Sequence, residues 1–176
     1  HQKNDLFISS ARAGNIIGGG DWSENRIIPD IIKSIISKNK MVIRQPKSIR
    51  PWQHVLDPLA GYLKLAEKLF IEGNSFATSF NFGPTSSSNK TVFELMKSAE
   101  KYFPISWEVL EKDTNFYEAP FIGLEITKAL KLLNWEPKYS FEESVQKTMI
   151  WYKKYYLNPK NTFTLCEKEI KDFLDN

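Results

Sequence analysis

At 176 residues, 41% of them hydrophobic and 14% aromatic, the chain can close one core, which excludes a disordered or collagen-like polymer and two full-sized domains. Twenty-four basic residues against 21 acidic ones give a net charge of +3 with no block of like charge, too weak a field to imply nucleic acid. The single Cys166 excludes an internal disulfide, His1 and His54 lie too far apart for a metal-ligand spacing, and no apolar run reaches the roughly 18 to 20 residues of a membrane span, so a cytoplasmic protein without metal or membrane partner is expected.

In chain order, residues 6 to 13 form a short, partly β-branched apolar run that predicts a buried strand, interrupted at Gly14-Asn15 and resumed as Ile16-Ile17 before Gly18-Gly19-Gly20. Ile28, Ile31, Ile32, Ile35 and Ile36 follow helical spacing up to Ser37, and Met41 to Ile43 reads as a short strand. Asp57-Pro58 suits an N-cap followed by a first-turn proline, predicting a helix over 58–71 with Leu59, Leu63, Ala66 and Phe70 turned inward and Gly73-Asn74 at its end. Phe76 to Phe82 alternates like a strand.

Thr91 to Glu94 and Ser140 to Glu143 are capping boxes, each opening a helix. The first turns Val92, Leu95, Met96, Ala99 and Phe103 inward; the second carries Phe141, Val145, Met149, Tyr152 and Tyr156 at core spacing. Between them lie a strand-like stretch from Ile105 to Leu110 and a short helix from Ile126 to Asn134 with Ala129, Leu132 and Leu133 on one side. An amphipathic tail begins at Thr162. The sum is one compact α/β unit over residues 1–176, helices with short strands.

Several groups invite a chemical reading. Gly18-Gly19-Gly20 can cradle a phosphate, yet it lacks the third glycine of a dinucleotide fingerprint, which favours a mobile turn. Tyr156 and Lys160 have the offset of a proton-exchanging pair, but Pro159 interrupts their helix. Arg12, Arg26, Arg44 and Arg50 all sit at strand and helix ends, where guanidinium forks can meet phosphate or stack on a base; solvated surface arginines are the competing explanation. Asn15 and Asn81 each follow a strand-like run and precede a glycine turn, which suits either a cleft or a cap. His54, without partner ligands, reads as structural.

Four blocks taken together resemble one family. These are Arg12-Ala13-Gly14-Asn15-Ile16-Ile17-Gly18-Gly19-Gly20-Asp21-Trp22, Arg26-Ile27-Ile28-Pro29-Asp30, Ile49-Arg50-Pro51-Trp52-Gln53-His54-Val55-Leu56-Asp57-Pro58 and Phe80-Asn81-Phe82-Gly83-Pro84. They are similar to the second half of the CDP-glucose 4,6-dehydratases, within the extended short-chain dehydrogenase superfamily. Tyr117-Glu118-Ala119, Leu132-Leu133-Asn134-Trp135-Glu136-Pro137 and Trp151-Tyr152 extend the likeness toward the C-terminus.

The resemblance implies the C-terminal substrate-binding portion of an extended short-chain dehydrogenase fold with its Rossmann half missing, residues 6 to 12 being a late strand of that half's sheet. The family's glycine fingerprint, tyrosine and lysine pair and Thr-Asp-Lys acid site are absent here, so no catalytic residue is assigned and the chain alone is expected to be inactive. By analogy Asn15 faces the diphosphate and the nicotinamide region, Ala13 lies beside the cofactor ring, and Arg26 with the Ile27 backbone contacts phosphate and sugar. The Val42 backbone meets the base, Arg44 stacks on cytosine, and Arg50 and Asn81 hold the diphosphate.

One departure stands out. Relatives place an arginine and then a histidine or aspartate near the positions of Asn115 and Glu118, which puts a phosphate role for either in doubt. For the complete enzyme the family implies CDP-glucose as substrate and NAD as an internal redox cofactor, with oxidation at sugar C4, loss of water across C5 and C6, and hydride return to C6. NAD is not expected to bind this chain tightly, and the complete enzyme is expected to be a homodimer. Alternatives are half of another nucleotide-sugar dehydratase or epimerase, and a degenerate protein-interaction module.

Overall fold

A computed structural model describes residues 6–110 and 119–175; Asn115, Tyr117 and Glu118 lie outside the described residues. In chain order the elements are β1 (Ser10–Ala13), β2 (Ile16–Ile17), α1 (Ile27–Ser37), β3 (Met41–Ile43), β4 (Ile49–Pro51), β5 (Gln53–His54) and α2 (Leu56–Glu72). There follow β6 (Ser79–Phe82), β7 (Asn89–Thr91), α3 (Val92–Ala99), β8 (Trp107–Val109), α4 (Thr127–Leu133), α5 (Phe141–Leu157) and α6 (Thr162–Asp175). Among the described residues the strands form four pairs: β1 with β6, β2 with β5 and β3 with β8 in parallel, and β4 with β7 antiparallel.

Both capping boxes form. The Glu94 amide donates to the Thr91 hydroxyl while Glu94 accepts from the Thr91 amide, and Ser140 and Glu143 repeat the arrangement. These reciprocal bonds satisfy amide hydrogens that a helix start otherwise leaves without partners, and they fix where α3 and α5 begin. Ile31, Ile32, Leu95, Met96, Val145, Met149 and Tyr152 then meet in one core. A second, smaller core gathers Leu65, Phe80, Phe82, Ala129, Leu133 and Trp135 around β6.

The helix over 56–72 departs from its predicted orientation. Asp57 is not its N-cap: Val55 holds that position, and the buried Asp57 carboxylate accepts the Lys138 amide at 2.7 Å while the Trp135 indole donates to the Asp57 carbonyl at 3.0 Å. The face expected inward is outward, with Leu59, Ala66, Leu63 and Phe70 exposed, Phe70 by 92%. Gly61 explains the reversal. A β-carbon there would run into the Phe82 ring and crowd the Trp135 indole, so the helix brings its bare side against β6 and buries Pro58, Gly61 and Leu65 instead.

The strand expected over 6–13 is shorter and more open than the pattern suggested. Only Ser10 to Ala13 pair, and Leu6, Phe7 and Ile8 ahead of them are exposed, because β1 has a neighbour on one side alone among the described residues. Leu132 is half exposed and so departs from the expected inner side of α4, whereas Ala129 and Leu133 are buried.

Candidate functional site

The triple glycine is a packed turn, which corrects the mobile reading. The Trp151 indole from α5 occupies the space a side chain at Gly19 would need, and Val55 does the same at Gly18. Trp22 then lies edge-on to Tyr152 at 5.3 Å between ring centroids, and the Tyr152 hydroxyl donates to the Asp21 carbonyl at 2.6 Å. Close approach, which only glycine permits, pins the Gly18 to Trp22 segment to the α5 aromatic face. Tyr152 is thereby a structural side chain, whereas Tyr156, expected in the same core stripe, is exposed; Lys160 lies beyond the end of α5 in a separate turn that starts at Pro159, so Tyr156 and Lys160 do not share a helix face.

Beside this turn opens a cleft of about 640 Å³, bounded by the end of β1, β2, the first turn of α1, β3 and β4. Ala13, Asn15, Arg26, Ile27, Val42, Arg44 and Arg50 all line it. Alternation along β3 explains part of this gathering: Met41 and Ile43 are buried, so Val42 and Arg44 share the opposite, exposed face. The Met41 amide donates to the Ser106 carbonyl, and the Ile43 carbonyl accepts the Leu110 amide; both point toward β8. The backbone groups of Val42 therefore point to the other edge.

Arg50 is buried on β4, where its Nη1 donates to the Ile49 and Ala119 carbonyls, each at 2.8 Å. Arg26 is exposed at the start of α1 and lies 3.3 Å from Asp21. Burial works against the Asp21 charge, but the Ser23 amide and hydroxyl and the Arg26 guanidinium prevail and hold its carboxyl below the usual range. The cleft thus presents three guanidinium groups, the carboxamides of Asn15, Asn25 and Gln45, the carboxylates of Asp21 and Asp30 and the N-terminal turn of α1, an arrangement suited to a small anion attached to a planar ring.

Asn81 does not line this cleft. Phe80 and Phe82 turn into the second core, so Asn81 takes the other face of β6, where its Nδ2 donates to the Glu125 carbonyl at 3.1 Å. Arg12, paired with Asn81 across β1 and β6, also lies outside the lining. Sequence reasoning counted cations and passed over Asp21, Asp30 and Gln45, which line the cleft too. Asp30 carried a usable signal, standing four residues after Arg26 in the same block.

His54 and Asp57 form a separate buried polar layer behind β5. His54 Nδ1 accepts the Leu56 amide at 3.4 Å and its ring meets Tyr139 edge-on at 5.4 Å. Burial, reinforced by Lys147, lowers the His54 pKa to about 4, so the ring is neutral at pH 7, as suits a structural histidine. Among the described residues no cluster of three or more His, Cys, Asp or Glu could hold a metal, and no helix is long and apolar enough to cross a membrane.

No protein-family model matches the chain. It is 35% identical, over 99% of its length, to the CDP-glucose 4,6-dehydratase of Salmonella typhimurium, of which it covers 48%. It is 23% identical over 85% of its length to the UDP-glucose 4-epimerase of Mycoplasma pneumoniae, covering 46% of it. The solved structure of dTDP-glucose 4,6-dehydratase from Bacillus anthracis in complex with NAD superposes on 83% of the chain with a TM-score of 0.65 and 19% identity, covering 44% of that protein. The chain spans about half the length of these relatives, and its fold is that of the C-terminal half of extended short-chain dehydrogenases.

Proposed function

We propose that the chain is the nucleotide-sugar-binding half of a cytoplasmic CDP-glucose 4,6-dehydratase. The convergence of Asn15, Arg26, Arg44 and Arg50 on one cleft, from segments separated along the chain, carries this reading. Arg50, Arg26 and Asn15 hold the diphosphate, Arg44 lies flat against the base, and the free backbone edge of Val42 meets the ring's polar rim. Asn81 serves the diphosphate only indirectly, by tying the Glu125 segment to β6.

NAD, when bound, supplies oxidation at the sugar's C4 and returns the hydride. The residues present fit one wall of its site: Ala13 and Asn15 stand at the carboxyl end of a parallel strand, where a small side chain leaves room for a flat ring. The phosphate-binding glycines and the proton-exchanging pair belong to a Rossmann half outside this chain. That half seats on the exposed edge of β1 and the apolar outer face of α2, carrying Leu59, Leu63 and Phe70.

Calorimetric titration with CDP, UDP and dTDP tests the reading. Binding of CDP, tighter than the other two, is the expected result; no nucleotide binding at all overturns it. Equal affinities would instead support half of an epimerase acting on another nucleotide sugar, a reading favoured by the likeness to the UDP-glucose 4-epimerase.

A further inference from the structure

We infer that Asp30 selects the base, its carboxylate accepting the exocyclic amino group of cytosine while Arg44 lies on the ring face. The inference rests on the nucleotide-binding reading of the cleft and goes beyond it by assigning the choice of base to one side chain. Asp30 stands in the first turn of α1, half-buried in the cleft wall, while Ile28, Ile31 and Ile32 on the same helix turn into the core. Arg44 reaches the same cleft from the exposed face of β3.

The two side chains influence each other without closing on each other. Arg44 and Lys33 both help hold the Asp30 charge, yet no ion pair within 4.0 Å joins Asp30 to either among the described residues. Burial nevertheless dominates and raises the Asp30 carboxyl above its ordinary range, so the group gains from any donor brought to it. The Asn25 amide serves part of the carboxylate, which has about four acceptor positions and keeps others for a ligand.

Among pyrimidines only cytosine offers a donor at C4. Uracil and thymine carry a carbonyl there, and a carboxylate repels it. A carboxylate beside a stacking guanidinium is therefore complementary to cytosine and adverse to the other two. Asp21, the other acidic group of the cleft, is engaged by Ser23 and Arg26 and stands at the turn that holds the diphosphate end.

The test compares CDP and UDP affinities by calorimetry in the chain and in Asp30→Asn, with a thermal melt of each. The unaltered chain is expected to prefer CDP by tenfold or more, and Asp30→Asn, whose amide can donate to a C4 carbonyl, to reduce that preference below threefold by weakening CDP and strengthening UDP. An unchanged ratio in Asp30→Asn overturns the assignment while leaving the binding site in place. Absence of all nucleotide binding in the unaltered chain is a different result and overturns the site itself. CDP dimethylated at N4 removes the donor from the ligand instead of the acceptor from the protein; it should bind the unaltered chain at least tenfold more weakly than CDP, and equal binding overturns the assignment even if the variant fails to fold.

Discussion

Trp151 lies flat against Gly19, in the volume that any larger residue at position 19 would claim. The glycine run is thus the footprint of an indole, and the turn it makes borders the cleft at Gly18 and Asp21. Gly19→Ala should destabilise the chain by about 1–3 kcal/mol through overpacking. Trp151→Ala, which empties a buried site, should cost about 3–5 kcal/mol. In the double variant the methyl enters the space the indole leaves, so the two losses add to less than their sum. Denaturant melts of the four proteins check this, and strict additivity would show that the two residues do not share the space.

Asp57 and His54 make opposite contributions to the pH dependence of stability. Burial raises the Asp57 carboxyl to about 6 against the pull of the Lys138 and Tyr139 amides, so the folded state holds a proton that the unfolded state releases near pH 4. Stability from this group is full below pH 4 and falls as pH rises to about 6. His54, lowered to about 4, works the other way: its contribution is full above about pH 6.5 and is lost as pH falls to about 4. Asp57→Asn should therefore gain stability relative to the unaltered chain between pH 4 and 6, reaching about 3 kcal/mol and then staying constant. Urea melts across pH 4 to 8 measure the difference, and a gap independent of pH would contradict the burial of this carboxylate.

Arg50 and Arg44 should fail in distinguishable ways. Arg50→Lys keeps the charge but loses the planar fork, so CDP should weaken by about tenfold or more while cytidine, which lacks phosphate, binds unchanged. Arg44→Ala removes the surface proposed to carry the base and should weaken cytidine and CDP by a similar factor of about three to thirty. Calorimetry with the two ligands separates the roles; a loss of cytidine binding in Arg50→Lys would place that residue at the base instead.

On α2, Leu63→Glu and Phe70→Glu put charges on side chains that are already 73% and 92% exposed. Neither should lower the melting temperature of this chain by more than about 1–2 °C, since substitutions on open surface change stability little. Both should abolish capture of a co-expressed N-terminal Rossmann half in an affinity pull-down. A marked loss of stability in the chain by itself would mean that this face packs inward after all.

The same helix shows where the sequence was legible and where it was not. Capping boxes are local chemistry, and Thr91 with Glu94 and Ser140 with Glu143 announced α3 and α5 to the residue. The α2 helix is apolar on two sides, so periodicity could not choose between the Leu59, Leu63 and Phe70 face and the Pro58, Gly61 and Leu65 face; the aromatic pair Phe82 and Trp135, distant in sequence, decided it. In the cleft, seven residues assigned through family likeness came together, but alternation along β6 carried Asn81 to the other side. Asp30 shared a block with Arg26, but its juxtaposition with Arg44 was not legible because β3 brings Arg44 near it only in the fold.

The pairing of Ser10 with Ser79 and of Met41 with Trp107 has a consequence for how this polypeptide is made. Side-by-side strands running the same way cannot be closed by a hairpin, so each pair must wait until the intervening chain has been synthesised and drawn into a loop. Such high contact order slows folding and keeps strand edges open to neighbouring molecules on the ribosome's timescale. Recovery from a bacterial host should accordingly improve at low growth temperature, where synthesis slows and chaperones have longer to shield the nascent edge.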